Sequence, residues 1–189
     1  MFGFIKFTPD TVEMIGQALG IIGMVLIMSS FQFKKLSTLC LLQALGGVAF
    51  TFNFILLGDM VSAVMNMFST LRGLAFGFAP RKTHKYLYVI LCLLMIGASV
   101  VTYDPEAKAL WLTVLITLAQ IVNATIIFIG KPKVIRIVQL AVVSPAWMVN
   151  NIISFTIGGI LCEAFNFISS AISIFRFRKE WFGKKEKAE

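Results

Sequence analysis

An apolar run with the sequence IVQLAVVSPAWMVNNIISFTIGGILCEAFNFISSAISIF extends from Ile137 to Phe175, and Glu163 is its only charged residue. A helix that crosses a membrane needs about 20 predominantly apolar residues, because the hydrocarbon core is about 30 Å thick. The run is long enough for two such helices. Adjacent glycines favour a tight turn, so we expect the break at residues 156–159, which read TIGG. The run therefore predicts a membrane protein.

Five further apolar segments of suitable length precede this run. They are Met14–Phe33, Leu36–Gly58, Met60–Pro80, Tyr86–Tyr103 and Ala109–Gly130. Arg72 is the one charge well inside the third segment. Together with the two helices of the long run, these segments predict an all-α polytopic membrane protein with seven transmembrane helices.

The composition of the 189 residues supports the same class. Hydrophobic residues make up 58% and charged residues 14%, against about 25% charged in soluble proteins. A soluble chain of this length has too little interior for 18 Phe and 9 Met, which argues against a soluble enzyme or a disordered chain. Cys40, Cys92 and Cys162 lie in apolar runs, and no metal-ligand cluster, catalytic triad or phosphate loop is visible. We therefore expect no enzymatic activity, no cofactor and no metal.

The net charge of +8 is distributed between the apolar segments, which indicates membrane topology rather than a nucleic-acid partner. If the N-terminus is outside, nearly all of the 17 lysines and arginines fall on the cytoplasmic side, and only Lys6 and Lys108 lie outside. An even number of spans would remove this asymmetry. The charges thus predict seven spans with an outer N-terminus and a cytoplasmic C-terminus.

An internal repeat aligns residues 34–82 with residues 131–179 without a gap. In three of the aligned pairs both residues are polar or both are aromatic. These pairs are Asn53 with Asn150, Phe50 with Trp147, and Asn66 with Glu163. The repeat predicts two three-helix units, residues 1–83 and 105–179, and a basic cytoplasmic tail at 180–189. The connector helix at 84–104 would give both units the same orientation, as in the parallel repeats of some transporters.

Glu163 and Arg72 are charged residues within the spans. Placing a charged side chain at the bilayer centre costs a free energy of about 2.5–3.5 kcal/mol or more. We expect both to face a cavity, water or each other. For Arg72 the alternative is snorkelling towards the inner interface, and for Glu163 it is a carboxylate at the outer rim reached by water. Asn166 follows Glu163 on the same helical face.

The other polar side chains of the spans suggest a path for a solute, which needs hydrogen-bond partners to replace its water. The candidate substrate-binding residues are Glu163, Asn66, Trp147, Asn151, Asn150, Asn53, Phe50 and Asn166. The alternative is that these residues only pack helices together, since polar and small residues also do this in membranes. Pro145 removes a backbone hydrogen bond inside the sixth helix, so we predict a hinge there.

Two stretches carry a family resemblance. The first is LLG at 56–58 with Ser69 and Arg72, and the second is Trp147 and Asn151 with IGG at 157–159, Glu163 and RF at 176–177. In these positions the chain resembles the YgjV-type family of small bacterial inner-membrane proteins. This resemblance implies a location in the bacterial inner membrane.

The 3+1+3 layout is also similar to that of SWEET, PQ-loop and nicotinamide-riboside-type carriers. In those carriers, aromatic and Asn residues of the second and third helices of each repeat contact the solute. The resemblance implies this role for Phe50, Trp147, Asn66 and Glu163. The chain departs from the pattern at Pro145, which is followed by Ala rather than Gln, and at Glu163, where an acid replaces an amide.

These patterns predict a transporter of a small polar solute that works by alternating access, with a central site between the repeats. Glu163 would bind the solute or carry a coupled proton, and Arg72 would act as an inner gate or charge partner. We expect the protein to lie in the lipid bilayer. The sequence does not decide whether it forms a homo-oligomer. The alternative is a structural or accessory membrane protein with a dry interior that scaffolds a partner.

Overall fold

The computed structural model describes residues 9–30 and 36–182, and every regular element in this part is a helix. The predicted all-α fold is therefore confirmed. Several basic residues behind the predicted topology lie outside the described residues, namely Lys6, Lys34, Lys35, Lys184, Lys185 and Lys187.

The helices follow the predicted spans in order along the chain. They are α1 (Pro9–Ser30), α2 (Leu36–Leu56), α3 (Met60–Phe78), α4 (His84–Val101), α5 (Leu110–Ile129), α6 (Pro132–Val138), α7 (Ser144–Ile153) and α8 (Ile157–Phe182). A π-helical segment, Gln139–Val143, joins α6 to α7 without a gap. These three elements form one continuous unit, the α6–α7 rod.

Four helices, α1, α4, α5 and α8, are long and apolar enough to cross a membrane. The described part of α2 contributes a shorter apolar helix, Leu41–Leu56. Polar residues interrupt α3, and the α6–α7 rod is divided by its π-helical segment, so membrane crossing by these helices stays a prediction. Large apolar side chains such as Leu93 and Val100 of α4 are exposed, as expected of a surface in contact with lipid.

The turn between the α6–α7 rod and α8 lies earlier than the predicted break at residues 156–159. α7 ends at Ile153 and α8 begins at Ile157. Phe155 makes the turn with a φ of 49°. Gln17 of α1 stabilises it, because its side-chain amide donates to the carbonyl oxygen of Phe155 and accepts from the backbone N–H of Ile157.

The two glycines of the predicted break serve helix packing instead. A Cβ at Gly158 would collide with the backbone of Gly20, so α1 and α8 approach each other closely at this point. A Cβ at Gly159 would lie 2.7 Å from the side-chain carbon of Asn151. The two glycines in the first turn of α8 therefore allow this helix to pack closely against α1 and the α6–α7 rod.

Six of the helical units form a closed ring. α1 packs against α2, α2 against α3, α3 against α5, α5 against the α6–α7 rod, the rod against α8, and α8 against α1. α4 packs against α3 and α5. Apolar side chains such as Phe54, Met65, Ile116 and Trp147 form the core between the helices. The six units of the ring surround a central cavity.

Candidate functional site

The central cavity, of about 260 Å³, is lined by side chains from all six units of the ring. Six of the predicted binding residues line it, namely Phe50, Asn66, Trp147, Asn151, Glu163 and Asn166. Further amides come from Gln43, Gln120, Asn123 and Gln139. The cavity thus combines aromatic rings with hydrogen-bonding groups, and Glu163 is the charged residue of its lining.

A second cavity, of about 200 Å³, adjoins the first and shares Asn66 and Ser69 with it. It extends to Arg72 and Leu74 on α3. Since a helix rises 1.5 Å per residue, Leu74 lies about 12 Å further along α3 than Asn66. The two cavities therefore follow α3 towards its C-terminal end.

The guanidinium of Arg72 lies inside the protein, where the residue is only 3% exposed. It donates to the side-chain oxygen of Gln120 at 3.1 Å and to the hydroxyl of Ser69 at 2.8 Å. Its Nε is buried without a partner. The side chain is enclosed by the protein and lines the second cavity.

Glu163 lies in the second turn of α8. Its carboxyl group is hydrogen-bonded with the side chains of Ser144 and Asn166. The second oxygen, Oε2, is buried and has no hydrogen-bond partner. A buried carboxylate oxygen without a partner is costly, so this atom needs an explanation in terms of function.

The π-helical segment brings Ser144 to this carboxyl group. Pro145 lies in the first turn of α7 and has no N–H for the carbonyl four residues earlier, which favours the wider π turn just before it. The amide of Gln139, at the start of the segment, donates to the Ser144 hydroxyl at 3.1 Å. The predicted hinge residue thus lies beside an irregular stretch of helix that lines the cavity.

A buried ion pair lies near the N-terminal end of α3. Asp59 and Lys108 are 8% and 7% exposed, and Nζ of Lys108 lies 2.8 and 2.6 Å from the two carboxylate oxygens of Asp59. The same ammonium donates to Ser62 at 2.8 Å and to Asn150 at 2.6 Å. Ser154 donates to Asp59 at 2.6 Å. We call these five residues the Asp59–Lys108 cluster.

The cluster joins three connections of the ring, because Asp59 precedes α3, Lys108 precedes α5, and Ser154 follows α7. Burial alone would raise the pKa of Asp59. The ammonium of Lys108, with hydrogen bonds from Ser154 and the backbone N–H of Ser62, outweighs burial and holds this pKa below its usual value. The carboxyl group of Asp59 is therefore ionised at neutral pH.

A third cavity, of about 280 Å³, lies against the Asp59–Lys108 cluster and is also lined by Trp111 and Phe155. It shares no lining residue with the central cavity. The side chains of Ser62 and Asn150 hydrogen-bond to each other at 3.0 Å within the cluster. The cluster thus separates the central cavity from the space beyond the N-terminal end of α3.

Two of the predicted binding residues do not line the central cavity. Asn53 donates to the backbone oxygen of Gly16 at 2.7 Å and so joins α2 to α1. Asn150 belongs to the Asp59–Lys108 cluster. Neighbouring helical residues point about 100° apart, so Asn151 lines the cavity while Asn150 does not.

The roles of Asp59 and Lys108 were not predicted from the sequence. In the sequence, Lys108 was noted only as one of the two lysines that lie outside the cytoplasmic segments. Its position, with a single acid in the connection before α3, is the signal that would have paired them.

Among the described residues there is no group of three or more His, Cys, Asp or Glu side chains that could hold a metal ion. The central and second cavities together offer hydrogen-bonding groups, the carboxyl group of Glu163, the guanidinium of Arg72 and aromatic rings. This chemistry suits reversible binding of a polar organic molecule.

No curated protein and no solved structure matches the chain. A family model described as a bacterial inner membrane protein, Imp-YgjV, matches residues 14–181. The four long apolar helices agree with a multi-pass location in that membrane. The chain belongs to the Imp-YgjV family of bacterial inner membrane proteins.

Proposed function

We propose that this protein is a carrier, not an enzyme, and moves a small polar solute across the bacterial inner membrane by alternating access. The observation that carries the proposal is a polar central cavity that is closed at one end and continued at the other. The Asp59–Lys108 cluster closes the end near the start of α3. The second cavity continues past Arg72 at the opposite end. A carrier in one of its two states needs this arrangement.

The basic residues support an inward-facing state. Lys82 and Lys85 follow the C-terminal end of α3, and Lys131, Lys133 and Arg136 follow α5, so these charges lie at the end of the ring towards which the second cavity extends. By the positive-inside rule this end is cytoplasmic. The Asp59–Lys108 cluster then closes the outer side, and the N-terminus is outside.

The order of contacts around the ring supports two parallel repeats with seven spans. If α1, α2 and α3 are exchanged with α5, the α6–α7 rod and α8, every contact of the ring maps onto another contact of the ring. α4 contacts α3 and α5 and is not needed to close it. This is the pattern expected of a 3+1+3, SWEET-like arrangement with a connector helix.

Within this proposal the solute binds in the central cavity to Glu163, Asn66, Asn151 and Asn166 beside the rings of Phe50 and Trp147. Arg72 forms the inner gate, since it lies where the second cavity continues. Pro145 and the π-helical segment allow the α6–α7 rod to bend. Glu163 also offers a place for a coupled proton.

Thiol labelling tests the closed and open ends separately. We place a cysteine at Ser69, which lines both cavities, in a variant whose three natural cysteines are replaced by alanine. A membrane-impermeant maleimide is added to right-side-out and to inside-out vesicles. We expect Ser69→Cys to react from the cytoplasmic side alone, and to react several-fold faster from the outside when Asp59→Asn and Lys108→Met are added.

Two exposed positions provide the controls for sidedness. Glu106→Cys should react from the outside only and Lys85→Cys from the cytoplasm only, whether or not the cluster is intact. If Ser69→Cys reacts from neither side, the interior is closed and dry, as expected of a scaffold protein. The carrier mechanism would also be contradicted if Ser69→Cys reacted from the outside at the same rate with and without the Asp59–Lys108 pair.

A further inference from the structure

The central cavity has two buried hydrogen-bond acceptors without donors. They are Oε2 of Glu163 and Oδ1 of Asn151, and both residues line the cavity. Each atom loses its bonds to water on burial and gains none from the protein. Unpaired acceptors of this kind call for a ligand that brings hydrogen-bond donors.

The two acceptors lie on neighbouring parts of one side of the cavity. The amide of Asn151 packs against Gly159 at the start of α8. Glu163 follows Gly159 by four residues, so it lies on the same helical face about 6 Å further along α8. The side chains of Asn151 and Glu163 therefore lie close enough together for one small ligand in the cavity to bind to both residues.

No cationic group of the described residues pairs with Glu163 in the central cavity. The described partners of the Glu163 carboxyl, Ser144 and Asn166, are uncharged. Arg72 bonds to Gln120 and Ser69 and lines the second cavity rather than the central one. The ammonium of Lys108 is bound in the Asp59–Lys108 cluster. A cation is the group that would neutralise an ionised Glu163 in this space.

Aromatic rings complete the lining. Phe50, Phe54 and Trp147 face the cavity, and the faces of such rings attract cations at distances within about 6 Å. The cavity volume of about 260 Å³ leaves room for a small organic molecule.

From this geometry we propose that the central cavity binds a primary ammonium group carried by a small, partly apolar organic solute. The N–H donors of the ammonium bind Glu163 and Asn151, and the apolar part of the solute lies against Phe50 and Trp147. This assignment of a solute class rests on the proposed function, since it concerns the same site. Binding itself does not depend on whether the solute is then transported.

Binding to the purified protein in detergent tests the class, measured by isothermal titration calorimetry. The probes are benzylammonium, benzyl alcohol as its uncharged analogue, and choline as a cation without N–H donors. We expect benzylammonium to bind at least about tenfold more tightly than either of the others. Glu163→Gln should weaken benzylammonium binding by at least about tenfold, and the exposed Glu106→Gln serves as the matched control with unchanged binding.

Three results would overturn the inference: equal affinity for benzyl alcohol, equal affinity for choline, or full benzylammonium binding in Glu163→Gln. No detectable binding of benzylammonium at about 10 mM would do the same. Uptake into proteoliposomes separates this inference from the carrier proposal. Specific binding without uptake refutes the carrier only, whereas uptake of an uncharged solute without ammonium binding refutes the ammonium inference only.

Discussion

The Asp59–Lys108 cluster and the central cavity both hold buried charge, but their charges are satisfied to very different degrees. In the cluster, Lys108 donates to Asp59, Ser62 and Asn150, and Ser154 completes the carboxylate. In the cavity, one carboxylate oxygen of Glu163 has no partner at all. A fully hydrogen-bonded group of charges holds helices together, whereas a buried polar atom without a partner marks a place where a ligand can bind.

The largest effect is expected when the cluster loses its cation. Lys108→Met leaves Asp59 buried without a counter-charge, which should lower the free energy of unfolding by about 3–5 kcal/mol. The measurement is unfolding in mixed detergent micelles. The exposed Lys85→Met is the matched control and should stay within about 0.5 kcal/mol of the native protein. A loss below about 1 kcal/mol for Lys108→Met would mean that the cluster does not hold the ring together.

Acid should break the same pair. The folded-state pKa of Asp59 is lowered, so its contribution to stability is fully present above the unfolded-state value of about 3.9 and is lost as the pH falls through the folded-state pKa. We expect stability to fall below about pH 4 in the native protein and to fall less in Asp59→Asn. Unfolding curves between pH 7 and pH 2.5 measure this. Equal acid sensitivity in both proteins would show that other carboxylates dominate.

The cavity should respond in the opposite direction. Glu163→Gln removes a carboxylate that is only partly hydrogen-bonded, so we expect the free energy of unfolding to stay unchanged or to rise by about 1–2 kcal/mol. The same unfolding assay measures it, beside Glu106→Gln as control. A loss of more than about 1 kcal/mol would show that this carboxylate is structural, and the contrast between the two regions would fail.

The smallest effect concerns the rim of the cluster. Ser154→Ala removes one hydrogen bond to Asp59 and should cost about 1 kcal/mol. Ser99→Ala is the matched control, because the Ser99 hydroxyl bonds only to the local carbonyl of Ile96 and its loss should cost less than about 0.5 kcal/mol. If both variants lose the same amount, the Ser154 bond adds nothing specific to the cluster.

The helices were predictable because hydrophobic segments of membrane length are a local property of the chain. The turn before α8 was not, since Gly158 and Gly159 give the same local signal whether they bend the backbone or admit a neighbouring helix. Only the position of Gly20, on a distant helix, decides between the two. Contacts of this kind depend on the fold as a whole.

The residues of the site also differ in how well the sequence predicted their roles. Charges and aromatic residues within spans, such as Glu163 and Trp147, could be assigned to an interior because their cost in lipid is known. The pairing of Asp59 with Lys108 was missed, because 49 residues separate them and neither lies inside a span. Their positions in two connections predicted on the same side of the membrane were the only signal. The adjacent amides Asn150 and Asn151 looked equivalent in the sequence, and only helix rotation separates their roles.

The contact between Gly20 and Gly158 also has a consequence for biosynthesis. It joins α1 to α8, which are the first and the last of the described helices to leave the ribosome. The ring of helices can close only after α8 has been synthesised. The same helix carries Glu163, so the central cavity is also incomplete until then. In a nascent chain the side chain of Gln17 therefore lacks its partners at Phe155 and Ile157 until translation reaches α8.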